Sequence, residues 1–302
     1  MTAQTSPITE NQDTPQGFTL AISVYVLWGF FPLYLKLLDH IPPVEVVAHR
    51  ILWSIPIAGT LLIITGRTQD LRKALKSPSV IAMACLTATL VSINWGTYVW
   101  AIASGNAVEA ALGYYINPLF SVFLGAVLLR ERLSRAQVIA IALAASAVLL
   151  ITIEAGTLPW AGLTLTFSWG FYAFFKRRLP IGPNQGFMLE ILVLSPFALG
   201  FLLYLANQGT GLFLTNSANT WLLLGSGVAT AVPLLLYANA AKRLRLSTIG
   251  ILQYITPTMI FLLAIFLFGE DFSGARVIAF PMIWLALLIY TTSMLRQMRA
   301  AT

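Results

Sequence analysis

The sequence predicts an all-α membrane protein of ten transmembrane helices arranged as two inverted five-helix repeats. Three observations carry that reading. Of 302 residues, 58% are hydrophobic and only 10% charged, with a mean hydropathy of +0.81, whereas soluble domains carry about 25% charged residues. The apolar residues fall into ten runs, most of them close to the ~20 residues a span requires. One stretch also occurs twice: Tyr115, Ile116, Pro118, Glu131 and Ser134 recur 139 residues later as Tyr254, Ile255, Pro257, Glu270 and Ser273.

The ten runs lie near 17–37, 44–65, 79–103, 106–129, 136–154, 160–177, 185–206, 219–241, 247–268 and 274–295. Residues 1–16 are polar and hold no Lys or Arg. They therefore lack the basic start of a signal peptide and read as a disordered cytoplasmic tail. The first repeat is expected over 17–154 and the second over 160–295, joined at Gly156-Thr157-Leu158-Pro159; 296–302 forms a second cytoplasmic tail.

Loop cations give the expected orientation. Of the 18 Lys and Arg residues, all but Lys36, Arg50 and Arg276 fall on one side of this layout. Both termini are then cytoplasmic, in a multi-pass protein of the cytoplasmic (inner) membrane. The net charge of +7 does not point to nucleic acid, because the cations sit in short clusters between apolar runs, with no basic helix face. Cys85 is the only cysteine, so no disulfide framework or cysteine metal site forms within the chain.

The repeat extends beyond the opening stretch. Tyr98 and Ala101 match Tyr237 and Ala240 at the same offset, and Trp28-Gly29-Phe30 matches Trp169-Gly170-Phe171 at an offset of 141. Five spans per half is an odd number, so the second half enters the membrane from the opposite side. Inverted halves, each carrying a proline-interrupted polar helix, are the build of an alternating-access carrier with its site between the repeats.

Several stretches resemble the EamA-type members of the drug/metabolite transporter superfamily, and more narrowly their RarD branch of chloramphenicol-sensitive-type permeases. They are Trp28-Gly29-Phe30-Phe31-Pro32-Leu33-Tyr34-Leu35-Lys36, His49-Arg50-Ile51-Leu52-Trp53-Ser54, Asn94-Trp95-Gly96-Thr97-Tyr98, Glu109 through Leu119, and Leu252 through Thr258. The resemblance covers nearly the whole chain beyond the N-terminal tail. It implies a secondary transporter of small metabolites, often amino acids or drugs and often outward, without a settled substrate.

The residues suggest where such a solute would bind. Pro118 and Pro257 each free a helix carbonyl, and in lipid such groups must face protein or a water-filled cavity. Tyr115, Asn117, Gln253 and Tyr254 beside them either bond a substrate or satisfy the interrupted helix. Asn94 and Tyr98, at i and i+4, share one face with Trp28 and Trp169 as aromatic candidates for the same cavity; the alternative for each aromatic is core packing. Ionisable residues within spans are costly and mark function by default. Arg50 reads as an anion-binding point or a gate, or else as a cation reaching outward. Glu109 either pairs with Arg50 or caps a helix N-terminus. Glu45 stands one turn from His49, and Glu190 is the repeat counterpart of His49, so His49 and Glu190 are the titrating groups if protons are the coupling ion.

The expectation is therefore a secondary-active exporter of small amphipathic metabolites, amino acids or drug-like compounds, working by alternating access amid membrane lipid. No catalytic residues, metal or cofactor are expected. A non-transporting binding or sensory subunit is the alternative, followed by an integral-membrane enzyme, for which two histidines and one cysteine are a poor inventory.

Overall fold

The computed structural model describes residues 14–129, 133–240, 243–244 and 252–300. Arg130, Glu131 and Arg132, which close the first copy of the repeated stretch, lie outside these, as do residues 1–13. Among the described residues there are eleven helices and no strand. They are α1 (Pro15–Lys36), α2 (Pro43–Ile64), α3 (Thr68–Ala74), α4 (Pro78–Ala103), α5 (Ala107–Leu129), α6 (Arg135–Ala155), α7 (Trp160–Arg178), α8 (Pro183–Gln208), α9 (Ser217–Ala240), α10 (Ile255–Phe266) and α11 (Ala275–Ala300).

Eight of these are long and apolar enough to cross a membrane: α1, α2, α4, α5, α6, α8, α9 and α11. The expected sixth span is the 19-residue α7; of the expected ninth, 247–268, the residues up to 251 lie outside the described ones and Ile255–Phe266 form α10.

Local chemistry sets the helix starts. Proline opens α1, α2, α4 and α8, where its missing N–H would have had no intrahelical partner. Thr14 Oγ1 accepts from Gly17 N at 3.0 Å, capping an α1 whose first residues lie inside the stretch expected as a tail. Ser134 and Gln137 form a capping box on α6. The short α3 is not expected from sequence. Leu71 and Ala74 seat it against Leu179 and Leu189, turning a charged loop into about two amphipathic turns.

Pro257 also differs from expectation. It stands in the first turn of α10, two residues after its start, where no helix bond is lost. Pro118, by contrast, lies inside a continuous α5. The two prolines thus differ in place: Pro118 stands within a continuous helix and Pro257 in the first turn of one.

Packing pairs α6 with α11, α2 with α8 and α9, α7 with α4 and α5, and α1 with α9 and α10; α5 meets α10. Two glycines permit close approaches in two of these pairs. A Cβ on Gly29 of α1 would lie 2.5 Å from Met259 Sδ on α10, and one on Gly170 of α7 would lie 2.4 Å from the Phe120 ring on α5. The core is apolar, and so is the outside, where Phe266, Ile64 and Phe197 are each at least 75% exposed. A surface of that kind suits lipid rather than water.

Two ends can be distinguished. Lys36, at the end of α1, lies 5.8 Å above the Phe268 ring after α10, and Glu270 reaches the start of α5. At the other end Thr14 N donates to the Arg243 carbonyl at 3.1 Å.

Candidate functional site

A cavity of about 110 Å³ opens where α1, α2, α4, α5, α7, α9 and α10 converge. Its wall is aromatic: Tyr25, Trp28, Phe31, Trp95, Tyr98, Tyr114 and Trp169. The polar members are Arg50, Asn94, Asn117, Thr230, Gln253 and Thr256. Trp28 and Trp169, matched in the repeat, face it from α1 and α7.

Arg50 is the cation of this wall and is only 4% exposed. Its guanidinium carbon sits 5.0 Å from the Phe31 ring and 4.9 Å from the Trp95 ring, close enough for the ring faces to stabilise the charge. Nε donates to Thr230 Oγ1 at 2.9 Å. The Thr230 hydroxyl spends its own proton on the Ser226 carbonyl at 2.7 Å, which leaves its oxygen free to accept. Arg50 Nη1 is buried without a partner.

Two more polar atoms on this wall are buried and unpartnered: Tyr98 Oη and Asn117 Oδ1. Such atoms are uncommon in folded proteins and point to a ligand or water. Asn94 differs from them. Its Nδ2 donates to Leu165 O and Ser168 Oγ at 3.2 and 3.1 Å, and its Oδ1 accepts from Tyr114 Oη at 3.4 Å. It lines the cavity with its amide committed to the α4–α7 contact.

Tyr115 and Tyr254 are not part of the wall. Tyr115 Oη donates to Thr258 Oγ1 at 2.8 Å, and its ring meets Phe280 and Trp284. On a helix, Tyr114 and Asn117 at i and i+3 share a face, while Tyr115 is turned by about 100°. Thr256, the counterpart of Asn117, donates to the Tyr25 carbonyl at 2.9 Å and so ties α10 to α1.

The carboxylates singled out from sequence serve other helix ends. Glu109 Oε1 accepts from Ala161 N and Gly162 N at 2.8 and 3.2 Å, capping α7 rather than its own helix, and no ion pair joins it to Arg50 among the described residues. Glu270 accepts from Ala107 N and Val108 N at 2.7 and 2.8 Å. Glu154 accepts from Ala275 N. Glu45 Oε1 accepts from Leu212 N and Phe213 N at 2.7 and 3.2 Å. His49, one turn on, accepts the Trp53 indole N–H on Nδ1 at 3.0 Å, and its ring lies 4.6 Å from that of Phe213, tilted by 41°. Glu45 and His49 therefore hold the α8–α9 loop, beside the cavity rather than in it.

Glu190 is 1% exposed and pairs with Lys176 at 2.6 Å, with Tyr172 Oη at 3.2 Å. Position along the chain puts Lys176 in the loop after the sixth span. It lies instead within α7, one turn from Tyr172, and is drawn inward by this carboxylate.

Comparison with known proteins now decides the kinship. The family model described as the EamA-like transporter family matches residues 15–153 and again 158–292. The chain belongs to the EamA-like transporter family. The uncharacterized transporter YojE of Bacillus subtilis (strain 168) is 40% identical over 97% of this chain and 99% of its own length. Protein RarD of Escherichia coli (strain K12) is 37% identical over 92% and 95%. The chloramphenicol-sensitive protein RarD of Pseudomonas aeruginosa is 32% identical over 91% and 93%. A solved crystal structure matches with a TM-score of 0.60 at 20% identity, covering 93% of this chain and 98% of the other, which bears on fold alone.

An EamA-like transporter is a multi-pass membrane protein, in keeping with the eight apolar helices. Within this one, sequence reasoning missed Thr230. Ser226 and Thr230, at i and i+4 on an otherwise apolar α9, were the available signal: two small hydroxyls on one face, aimed at a partner helix.

Proposed function

We propose that the protein is a secondary-active transporter, working outward, of small amphipathic metabolites, with the aromatic cavity as its solute site. The observation that carries this is the convergence of three buried, unpartnered polar atoms, Arg50 Nη1, Tyr98 Oη and Asn117 Oδ1, on one cavity lined from both halves. A soluble solute with an apolar body and a polar head would satisfy them.

The alternating-access scheme rests on repeat-related contacts. Gly29 receives Met259 while Gly170 receives Phe120, and these four positions exchange under the offsets of 141 and 139. The contact of α1 with α10 likewise mirrors that of α7 with α5. Such exchange is expected of ten spans in two inverted halves about one axis, which can rock around a shared site. With the loop cations inside, both termini face the cytoplasm. Substrate roles for Trp28, Asn94, Tyr98, Asn117, Trp169 and Gln253 follow from their positions on the wall; Tyr115 and Tyr254 act behind it. Glu190 with Lys176, or His49, supplies the titrating group if coupling is to protons.

The test is flux from vesicles reconstituted with the purified protein and loaded with labelled amino acids, nucleosides and antibiotics. Saturable, protein-dependent efflux of at least one solute is expected, lost in Arg50→Ala with the protein still in the membrane. Flux unchanged by Arg50→Ala would remove the cavity from the pathway. Flux indifferent to collapse of the proton gradient would remove proton coupling.

A further inference from the structure

Resting on the cavity as the solute site, we infer that its substrate is an amphipathic monoanion: an aromatic or bulky apolar body carrying one carboxylate or equivalent acidic head. The charge balance of the cavity leads there. Arg50 contributes a full positive charge with a free N–H on the wall, and among the described residues no carboxylate lines that wall. Every carboxylate among the described residues is engaged elsewhere, Glu190 by Lys176 and Glu45, Glu109, Glu154 and Glu270 by backbone N–H groups. Among the described residues the Asp side chains, Asp39, Asp70 and Asp271, bond Lys36, Gln185 and Ser273.

A buried cation without an anion is costly in a membrane interior. Ring faces and one hydroxyl offset part of that cost, and a bound anion would offset more through a charge-assisted, forked contact. A cationic solute would meet Arg50 with no counter-charge. A zwitterion would have its carboxylate matched and its ammonium facing only rings and amides.

Size agrees with a small molecule. At ~10–15 Å³ for each water-sized group, the cavity has room for roughly seven to eleven such groups, which a benzene ring with a short acid chain fills. Trp28 and Trp169 line the space as apolar surface, while Asn117 Oδ1 offers an acceptor that suits a hydroxyl or amide donor on the solute better than a second acid.

Four probes with one aromatic body separate the charge classes: 3-phenylpropionate, 3-phenylpropionamide, L-phenylalanine and 2-phenylethylamine. Each is titrated into the full-length purified protein, with quenching of the cavity tryptophans as the readout. The acid should bind at least about tenfold more tightly than the amide, and the amine least well. In Arg50→Gln the acid should lose most of its advantage over the amide, whose neutral head draws less on Arg50 and should change far less; Arg50→Lys should recover part of the loss. If the amide, amino acid or amine equals the acid in the wild type, the monoanion assignment is overturned and the cavity remains a solute site. Acid affinity unaltered by Arg50→Gln has the same consequence. If no probe quenches, both this inference and the reading of the cavity on which it rests are overturned.

Discussion

Arg50 Nε donates to Thr230 Oγ1 at 2.9 Å across the α2–α9 contact, and that bond aims the guanidinium at the cavity. Removing the acceptor while keeping the shape isolates its effect. Thr230→Val should leave a second buried N–H of Arg50 unsatisfied, at a cost of about 1–3 kcal/mol. Thermal denaturation of the purified protein should show the loss, with weaker flux of any transported solute; Thr230→Ser, which restores the hydroxyl, should return both. Equal stability of the Val variant would mean that water replaces Thr230 and that Arg50 is held by its rings alone.

Glu109 and Arg50 are the pair that position along the chain suggested and that geometry separates. Because Glu109 caps α7 through two backbone N–H groups, Glu109→Ala should destabilise by roughly 1–2 kcal/mol, as caps at helix N-termini do. Glu109→Gln keeps one acceptor and should cost less. The double variant Arg50→Gln with Glu109→Ala should be additive within about 0.5 kcal/mol. A coupling beyond that would restore a direct interaction between them.

Gly113 is set where α5 crosses α7, and a Cβ there would fall 2.4 Å from the Gly162 carbonyl oxygen. Backbone cannot move aside as a side chain can, so Gly113→Ala should cost about 1–3 kcal/mol by overpacking and disturb the bond from Thr166 Oγ1 to the Gly113 carbonyl at 2.9 Å. Gly200, in the interior of α8 with open space around its Cβ position, is the internal control. Gly200→Ala should be neutral or gain up to about 1 kcal/mol from helix propensity. Melting temperatures of the two variants, measured side by side, distinguish a packing effect from a general intolerance of alanine.

The sequence and the structure diverge in instructive places. Trp28 and Trp169 were legible as a pair through the repeat, and Asn94 with Tyr98 through i, i+4 spacing, because helix periodicity alone decides which residues share a face. The same rule separates Tyr115 from Tyr114 and His49 from Arg50, each one residue and about 100° apart, yet which of two adjacent faces meets a cavity depends on neighbouring helices. Glu45 and Glu109 could be recognised as acids at span ends, whereas Glu270 reads as a solvated loop charge; the backbone partners of all three lie on other elements, at distances along the chain that no local pattern encodes. The ten apolar runs were readable from composition. The first-turn position of Pro257 was not, since it depends on where α10 begins.

The buried pair of Lys176 and Glu190, 2.6 Å apart between α7 and α8, gives the last prediction. Removing one member strands the other charge, which should cost about 3–5 kcal/mol. Lys176→Met and Glu190→Gln should therefore each lower the melting temperature sharply. The double variant should be more stable than either single one, because no unpaired charge remains and Tyr172 Oη, now 3.2 Å from Glu190, can still donate to the amide oxygen that replaces the carboxylate. Flux then separates two roles. If the pair only holds α7 against α8, the double variant transports as the wild type does. If Glu190 carries a coupled proton, the double variant is stable and yet loses gradient-driven accumulation while retaining exchange of solute down its own gradient.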